Sequence, residues 1–335
     1  MTTIREVAER AGVSATTVSH VLNGTRRVDP GTVTRVTRAI EELGYRPNAV
    51  ARSMRHGQTY TIGVVIPDVS NPFFADLARA IEDATFAGGY SAIFCNSDGD
   101  EGKEARYLDV LLSKKVDGLL LVSAGQSSER LRHVVDTGPP MVIVDRELDD
   151  LGVSQVMVDN HEGGRLAGRY LVGLGHRRIG VIVGPDILRP SARRLDGFRA
   201  ELAAAGADLP DDLVARGSFR SREGRAAMQS LLRLPERPTA VFAENDLMAL
   251  GAMGAIHDAG LRIPHDISIM GFDDVAFSEL STPGLTTVSQ PVPQMAATAM
   301  RLLFERLHDR TLAPTRVVLP VSLVERRSCR VLATD

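Results

Sequence analysis

The sequence predicts an N-terminal all-α helix-turn-helix head with a hinge helix, followed by an α/β body of two doubly wound parallel-sheet subdomains. Three observations carry this. Helix-period patterning fills the first 46 or so of 335 residues. From residue 60 onward short apolar runs alternate with amphipathic stretches, the mark of parallel sheets with helices on both faces. The apolar runs also repeat: IGVVIP at 62–67 returns as IGVIVGP at 179–185, VDGLLLV as PTAVFAEN, and MVIVDRE as ISIMGFDD.

In the head, Thr3-Ile4-Arg5-Glu6 reads as a capping box. Ile4, Val7, Ala8 and Ala11 then share one helical face, and Gly12 ends the helix in a tight turn. Ser14 caps a second helix whose Val18, Val21 and Leu22 face the core. Asp29-Pro30 starts a third, striped by Val33, Val36, Ile40 and Leu43 and stopped at Gly44. Two short helices across a glycine turn, with a third in support, make a helix-turn-helix. Base contacts then fall on the second helix opposite its apolar stripe, at Ala15, Thr16 and His20. A Thr hydroxyl donates or accepts and its methyl can meet a thymine methyl, while a His can donate to a purine acceptor. The alternative for His20 is an ordinary solvated histidine.

Charge supports a polyanion partner for the head alone. Nine arginines against Glu6, Glu9, Asp29, Glu41 and Glu42 leave residues 1–57 at +4 in a chain of net −3, so the remainder is at −7. Asn48 to Arg55, after Pro47, reads as one short helix. Eight residues are marginal in isolation, so this segment suits a switch that folds only when clamped.

In the body, strands are expected at Thr61–Ile66, Ser91–Cys95, Gly118–Val122, Met141–Val144, Val156–Val158, Ile179–Val183, Ala240–Ala243, Ile267–Met270 and Val317–Pro320. Ligands of such sheets bind beyond the carboxyl ends of the strands, and two facing halves bring those ends to one cleft. That rule selects Asn71, Phe73 and Phe74, then Asp145 and Arg146, Ser191 and Arg194, Asn245 and Asp246, and Asp273. Aromatic rings, carboxylates and guanidinium groups suit a polyhydroxyl ligand. The alternative is structural: Asn71 and Asn245 sit where helix caps belong, and Asp273 can pin a loop.

Composition excludes several classes. With 44% hydrophobic and 24% charged residues the chain is globular. Cys95 and Cys329 have no metal-ligand spacing and read as reduced thiols. The N-terminus, MTTIREVAERAG, lacks the apolar run of a signal peptide or anchor, which predicts a cytoplasmic protein with no membrane partner. GGRLAG at 163–168 lacks the dinucleotide-loop spacing, and no GxxxxGK[ST], HExxH or CxxC occurs. No enzyme, metal or cofactor is expected. An export-route sugar-binding protein would need a signal peptide and no basic head.

TIREVAERAGVSATTVSHVLNGTRRVDPGTVTRV with AIEELGYRPNAVARSMRHG resembles the DNA-binding head of the LacI/GalR repressor family. The body resembles the same family through NPFF, KKVDGLLL, LGHRRIGVI, SARRLDGF, RPTAVFAENDLMALGA, GFDD and TTVSQP. The resemblance implies that Ala15, Thr16 and His20 read the major groove while Thr17, Ser19 and Asn23 hold phosphates and helix ends. It implies a hinge helix whose Met54, in place of the usual leucine, wedges into the minor groove. It implies a periplasmic-binding-protein-like body in which Arg194 and Asp273 hold the effector's polar groups, Phe73 or Phe74 stacks on it, and Asp145, Asn245 and Phe219 close the rim. Leu188 and Pro190 stand where purine-responsive members carry Arg and Thr, so a sugar, ribose first, is expected as effector. The implied organisation is a head at 1–46, a hinge at 47–59, and a body at 60–335 with subdomains near 60–160 with 291–318 and 161–290 with 319–330. A homodimer on a near-palindromic operator follows, since one head reads few base pairs. Only Cys329–Asp335 follow ERRS, with no heptad repeat, so no tetramerising coiled coil is expected there.

Overall fold

The computed structural model describes residues 2–23, 26–45, 58–122, 125, 129–148 and 151–332. Two compact units result, Met1–Thr59 and Tyr60–Asp335. Met54 and the rest of the expected hinge helix lie outside the described residues, as does the side chain of Asn23.

The first unit is built of α1 (Ile4–Ala11), α2 (Ala15–Asn23) and α3 (Pro30–Leu43). Thr3 and Glu6 form the reciprocal capping box, and Gly12 closes α1 at φ 65°. The Thr17 amide donates to Ser14 Oγ at 3.1 Å, and the Thr32 amide donates to Asp29 Oδ2 at 3.0 Å. Val7, Ala8, Ala11, Val18, Val36 and Ala39 form the core. Val33, expected in the apolar stripe, is instead 37% exposed, and Ala39 is buried in the core beside Val36. Arg35 Nε donates to the Ala11 carbonyl at 3.3 Å and ties α3 to the end of α1.

The second unit holds two six-stranded sheets of matching design. The first contains β1 (Thr61–Ile66), β2 (Ser91–Asn96), β3 (Gly118–Leu121), β4 (Met141–Val144), β5 (Ser154–Val158) and β11 (Arg316–Leu319). The second contains β6 (Ile179–Val183), β7 (Val214–Arg216), β8 (Ala240–Ala243), β9 (Ser268–Asp273), β10 (Thr286–Ser289) and β12 (Ser322–Val324). Their orders, β11-β5-β4-β3-β1-β2 and β12-β10-β9-β8-β6-β7, are the same permutation, which accounts for the repeated motifs. Neighbours are parallel except β12, which runs antiparallel to β10. Each sheet is buried on both faces. In β1, Val64 enters one core and Val65 the opposite one; in β6, Val181 and Ile182 divide likewise.

The flanking helices are α4 (Pro72–Ala87), α5 (Glu101–Ser113), α6 (Glu129–Thr137), α7 (Asn160–Gly173), α8 (Arg189–Ala204), α9 (Ser221–Leu232), α10 (Asp246–Asp258), α11 (Ala276–Leu280) and α12 (Val292–His308). The chain passes between the sheets three times: from β5 into α7, from β10 into α12, and from β11 to β12. α12 returns to the first sheet, where Met295, Ala299 and Leu303 join the core containing Ile62 and Val64. The helix pair α7 and α8 packs through glycines. A Cβ on Gly164 would lie 1.9 Å from the Arg194 carbonyl, and one on Gly197 would lie 1.9 Å from the His161 carbonyl. No helix among the described residues is long and apolar enough to cross a membrane.

Candidate functional sites: a reading helix and a ligand pocket

On α2, Thr16 is exposed, and Thr17, Ser19 and His20 are half-buried. Thr16 and His20 are one turn apart and share a face. Thr17 helps to start the helix: its amide donates to Ser14 Oγ, and the two hydroxyls lie 2.9 Å apart. Ala15 departs from the expectation. Helical phase puts it opposite the apolar stripe, yet it is half-buried and packs against the three-helix core, since it occupies the first turn where α2 meets the others.

In the body, nine of the eleven side chains selected from the sequence surround one cavity: Asn71, Phe73, Phe74, Asp145, Arg146, Arg194, Phe219, Asn245 and Asp273. All but Arg194, which sits in the second turn of α8, stand at or just beyond a strand end or at the start of the helix that follows, as the strand-end rule requires. Asn71 and Asn245 also cap helices: Asn71 Oδ1 accepts the Phe73 amide at 3.1 Å and Asn245 Oδ1 the Met248 amide at 2.9 Å. The structural and lining positions thus coincide. Asn245 Nδ2 donates to the Phe219 carbonyl at 3.0 Å and fixes that loop. Three pocket residues hold left-handed backbone, Asp145 at φ 62°, Phe219 at 64° and Asp273 at 116°, a strained conformation that turns each side chain from its strand end into the cleft. The ring of Phe219 lies so close to Gly184 that a Cβ there would meet it at 2.3 Å.

Arg194 is the centre of the polar arrangement. It is 4% exposed. Its Nε donates to Asn160 Oδ1 at 2.8 Å and Nη1 to the Glu244 carbonyl at 2.5 Å, and the guanidinium lies 3.6 Å from the centre of the Phe272 ring. Arg146 donates to its neighbour Asp145 and sits over the ring of Phe74 at 5.6 Å. Burial holds Asp145 and Asp273 above the ordinary carboxylate range, with Arg146 and Arg194 opposing it at Asp145 and Arg194 at Asp273. Burial likewise lowers Arg194, against the pull of Asp273, Asp145 and Glu244.

Ser191 departs from the expected lining. It does not line the cavity; its hydroxyl donates instead to buried Glu244, because the first turn of α8 aims it at the end of β8. Asp246 also faces elsewhere, accepting from the Val275 amide and the hydroxyls of Ser278 and Thr287. Pro190, whose slot the sequence ties to effector choice, and Gln290, which it does not select, complete the lining. Gln290 Nε2 donates to Asp273 Oδ1 at 2.8 Å. The cavity itself measures about 20 Å³, room for about one water. Wider depressions of about 260 and 360 Å³ share its walls at Asp145, Arg146 and Pro190 and at Phe73, Asp273 and Gln290. A sugar-sized ligand therefore requires these walls to separate. Across the rim Arg220 pairs with Asp68 at 3.5 Å and Arg193 with Glu147 at 3.6 Å. Among the described residues no group of three His, Cys, Asp or Glu is placed to hold a metal.

A three-helix reader followed by a two-lobed body with a polar cavity between its sheets defines a ligand-responsive DNA-binding protein. The comparisons agree. The profile of bacterial regulatory proteins of the lacI family matches residues 3–48, and a periplasmic binding protein-like domain matches 169–329. The chain is 41% identical over 331 residues to the ribose operon repressor of Escherichia coli K12, covering 98% of this chain and all of that one. It is 40% identical over 330 residues to the transcriptional repressor PurR of Pectobacterium carotovorum, covering 98% and 97%. Among solved structures it is similar to the lac repressor dimer bound to operator and an anti-inducer, with TM-score 0.88, 29% identity and 98% and 99% coverage. It is also similar to a LacI family regulator from Enterococcus faecium with bound ribose, with TM-score 0.74, 31% identity and 82% and 100% coverage. The chain belongs to the LacI family: it is a DNA-binding transcription regulator with a ligand-binding domain, not an enzyme.

Proposed function

We propose that this regulator is a repressor that acts as a homodimer on a near-palindromic operator and that a small sugar, ribose first among candidates, sets its operator affinity. The observation that carries the reading is the convergence of nine side chains, aromatic and charged together, on one cavity between the two sheets. The relatives point the same way, one being a ribose operon repressor and one structural neighbour holding ribose.

Ligand binding in the cavity sets the separation of the two lobes, and with it the positions from which residues 58–60 lead into the linker. Met54 and the hinge helix carry that change into the minor groove, and Thr16 and His20, with Ala15 beside them, read the major groove. Thr17, Ser19 and Asn23 hold phosphates and helix ends. A coupling of about 1–3 kcal/mol changes operator occupancy roughly 5- to 150-fold. A regulator of chromosomal genes acts in the cytoplasm, and this one associates with the nucleoid when bound to its operator.

The test is selection of duplexes from a random pool by the purified chain in moderate salt, followed by titration of the selected site with and without D-ribose. A two-fold-related consensus whose affinity responds to the sugar is expected. Uniform affinity across duplexes would overturn the reading. His20→Ala is expected to relax preference at one symmetric base-pair position at a cost of about 1–3 kcal/mol on the selected site.

A further inference from the structure

Resting on the reading of the cavity as the effector site, we propose that Arg220 is a gate residue outside it. Its pair with Asp68 holds the two lobes shut, and the effector, which keeps the lobes wider, has to break that pair. Neither residue lines the cavity.

The position of the pair makes it a gate. The crossovers leave from β5, β10 and β11, at or next to one edge of each sheet. Asp68 follows β1 and Arg220 follows β7, towards the opposite edges. Lobes that turn about the crossovers separate most at those far edges, so a small rotation makes or breaks a contact there. Arg193 and Glu147 also face each other across the lobes, at 3.6 Å. They lie in the depression that holds Asp159, Asn160 and His161, beside the first crossover, where the same rotation moves them little.

Both ends of the pair are set in advance. Asp68 Oδ1 accepts the Ser70 amide at 3.0 Å, which leaves Oδ2 to face Arg220 at 3.5 Å. Asn96 Oδ1 fixes the same loop by accepting the Val69 amide at 2.8 Å. Arg220 is the N-cap residue of α9, and its carbonyl accepts the Gly224 amide at 3.0 Å. Anchored ends reduce the entropy loss that cancels most exposed ion pairs. Asp98 strengthens the acidic side: the hydrogen bond from Lys103 chiefly holds it below the ordinary carboxylate range, and Arg220 adds to that. The residue before Arg220 is Phe219, whose ring lines the cavity against Gly184, so gate and wall are consecutive residues.

Volume decides the sign. The shut cavity measures about 20 Å³. Small-molecule sites are about 300 Å³ or more. An aldose therefore occupies a wider arrangement than the one Arg220 and Asp68 join, and removing their attraction removes a cost of opening. Loss of the pair tightens binding. A clamp that closed over bound sugar would do the opposite.

Calorimetry of the full chain with D-ribose, D-xylose, D-glucose and D-galactose tests this. For an aldose that binds, Arg220→Gln and Asp68→Asn are each expected to tighten binding about 1.5- to 5-fold, and the double variant no further than either alone. Arg216→Gln controls for the lost charge, because Arg216 is exposed on the same lobe and pairs within it, to Asp186. Its affinity is expected to match that of the unaltered chain. Raising salt from about 0.01 to about 1 M shortens the screening length from about 30 to about 3 Å, and is expected to tighten the unaltered chain but not Arg220→Gln. A second readout needs no sugar. Residues 144–147 border the cavity two strands away from β1, and their amides are expected to exchange hydrogen faster in Arg220→Gln than in the unaltered chain or Arg216→Gln. Unchanged or weaker aldose binding in Arg220→Gln overturns the gate and leaves the effector pocket standing. If no aldose binds any of these proteins, the pocket reading falls, and equal exchange at 144–147 overturns the gate as well.

Discussion

Arg194 on α8 reaches Asn160 at the first crossing between the sheets, with Nε 2.8 Å from Oδ1. The same guanidinium holds the Glu244 carbonyl and covers Phe272, so one side chain joins a helix start, a strand end and a crossover. Arg194→Ala is expected to abolish the effector response while operator binding persists. Arg194→Lys is expected to rescue little, because an ammonium offers neither the planar fork nor the stacking face. Operator titration by fluorescence anisotropy, with and without effector, reads this. An Arg194→Ala protein that responds at the same effector concentration removes Arg194 from the site.

Gly197 sets where that arginine stands. Its Cα abuts the His161 carbonyl, and Gly164 abuts the carbonyl of Arg194 itself. Gly197→Ala would push α8 off α7 by the width of a methyl and carry Arg194 with it. Overpacking of this kind costs about 1–3 kcal/mol. The expected result is a lower melting temperature together with weaker effector affinity. Lost stability with unchanged affinity would separate the helix contact from the site.

These contacts show what the sequence does and does not reveal. The apolar runs that became β1, β4, β6 and β8 have the predicted bounds, since a strand buried on both faces is continuously apolar. β10, the sequence TTVS, does not read as a strand because its buried threonines look polar; Thr287 is paired to Asp246, and Thr286 to Ser328 and Arg326. Gln290 follows β10 directly, so the strand-end rule selects it only where β10 is legible. β7 and β12 are three residues each, too short to show a period. Ser191 obeyed the rule and still points away, because the rule fixes the backbone and not the rotamer. Ala15 and Val33 show the same limit in the head, where helical phase alone misjudges faces near a helix start.

Burial lifts Glu244 to about 7 and Asp246 to about 6, from ordinary values of 4.5 and 3.8. Each carboxyl therefore holds its proton more tightly folded than unfolded. Between about pH 4.5 and 7 for Glu244, and about pH 3.8 and 6 for Asp246, the unfolded chain has released a proton that the folded chain keeps, so stability falls as pH rises through each window and levels off above it. At about 1.4 kcal/mol per pH unit, Glu244 contributes on the order of a few kcal/mol. Glu244→Gln keeps the shape without the charge. Its melting temperature relative to the unaltered chain is expected to rise from pH 4.5 to 7.5 and then hold; a pH-independent difference would show that Glu244 does not titrate in the folded protein.

The crossover at Gln290 runs directly into α12, whose far half reaches the beginning of the body. Phe304 stacks on Tyr90 with ring centres 5.2 Å apart, and Tyr90 on Tyr60 at 5.5 Å. Tyr60 is the first residue of the second unit, held at φ 52° with its amide donating to Asp117 at 2.6 Å. From Gln290 to Phe304 is about 20 Å along a helix, which moves as a rod. A displacement of Gln290 by ligand therefore reaches the residue at which the body passes into the linker. Phe304→Ala removes the ring that seats this stack without touching the pocket. Effector affinity is expected to stay within about threefold, while the coupling of about 1–3 kcal/mol to operator binding shrinks toward zero. Calorimetry with the effector and anisotropy with the operator measure the two halves separately. Full coupling in Phe304→Ala would mean that lobe motion reaches the linker through the sheet rather than through α12.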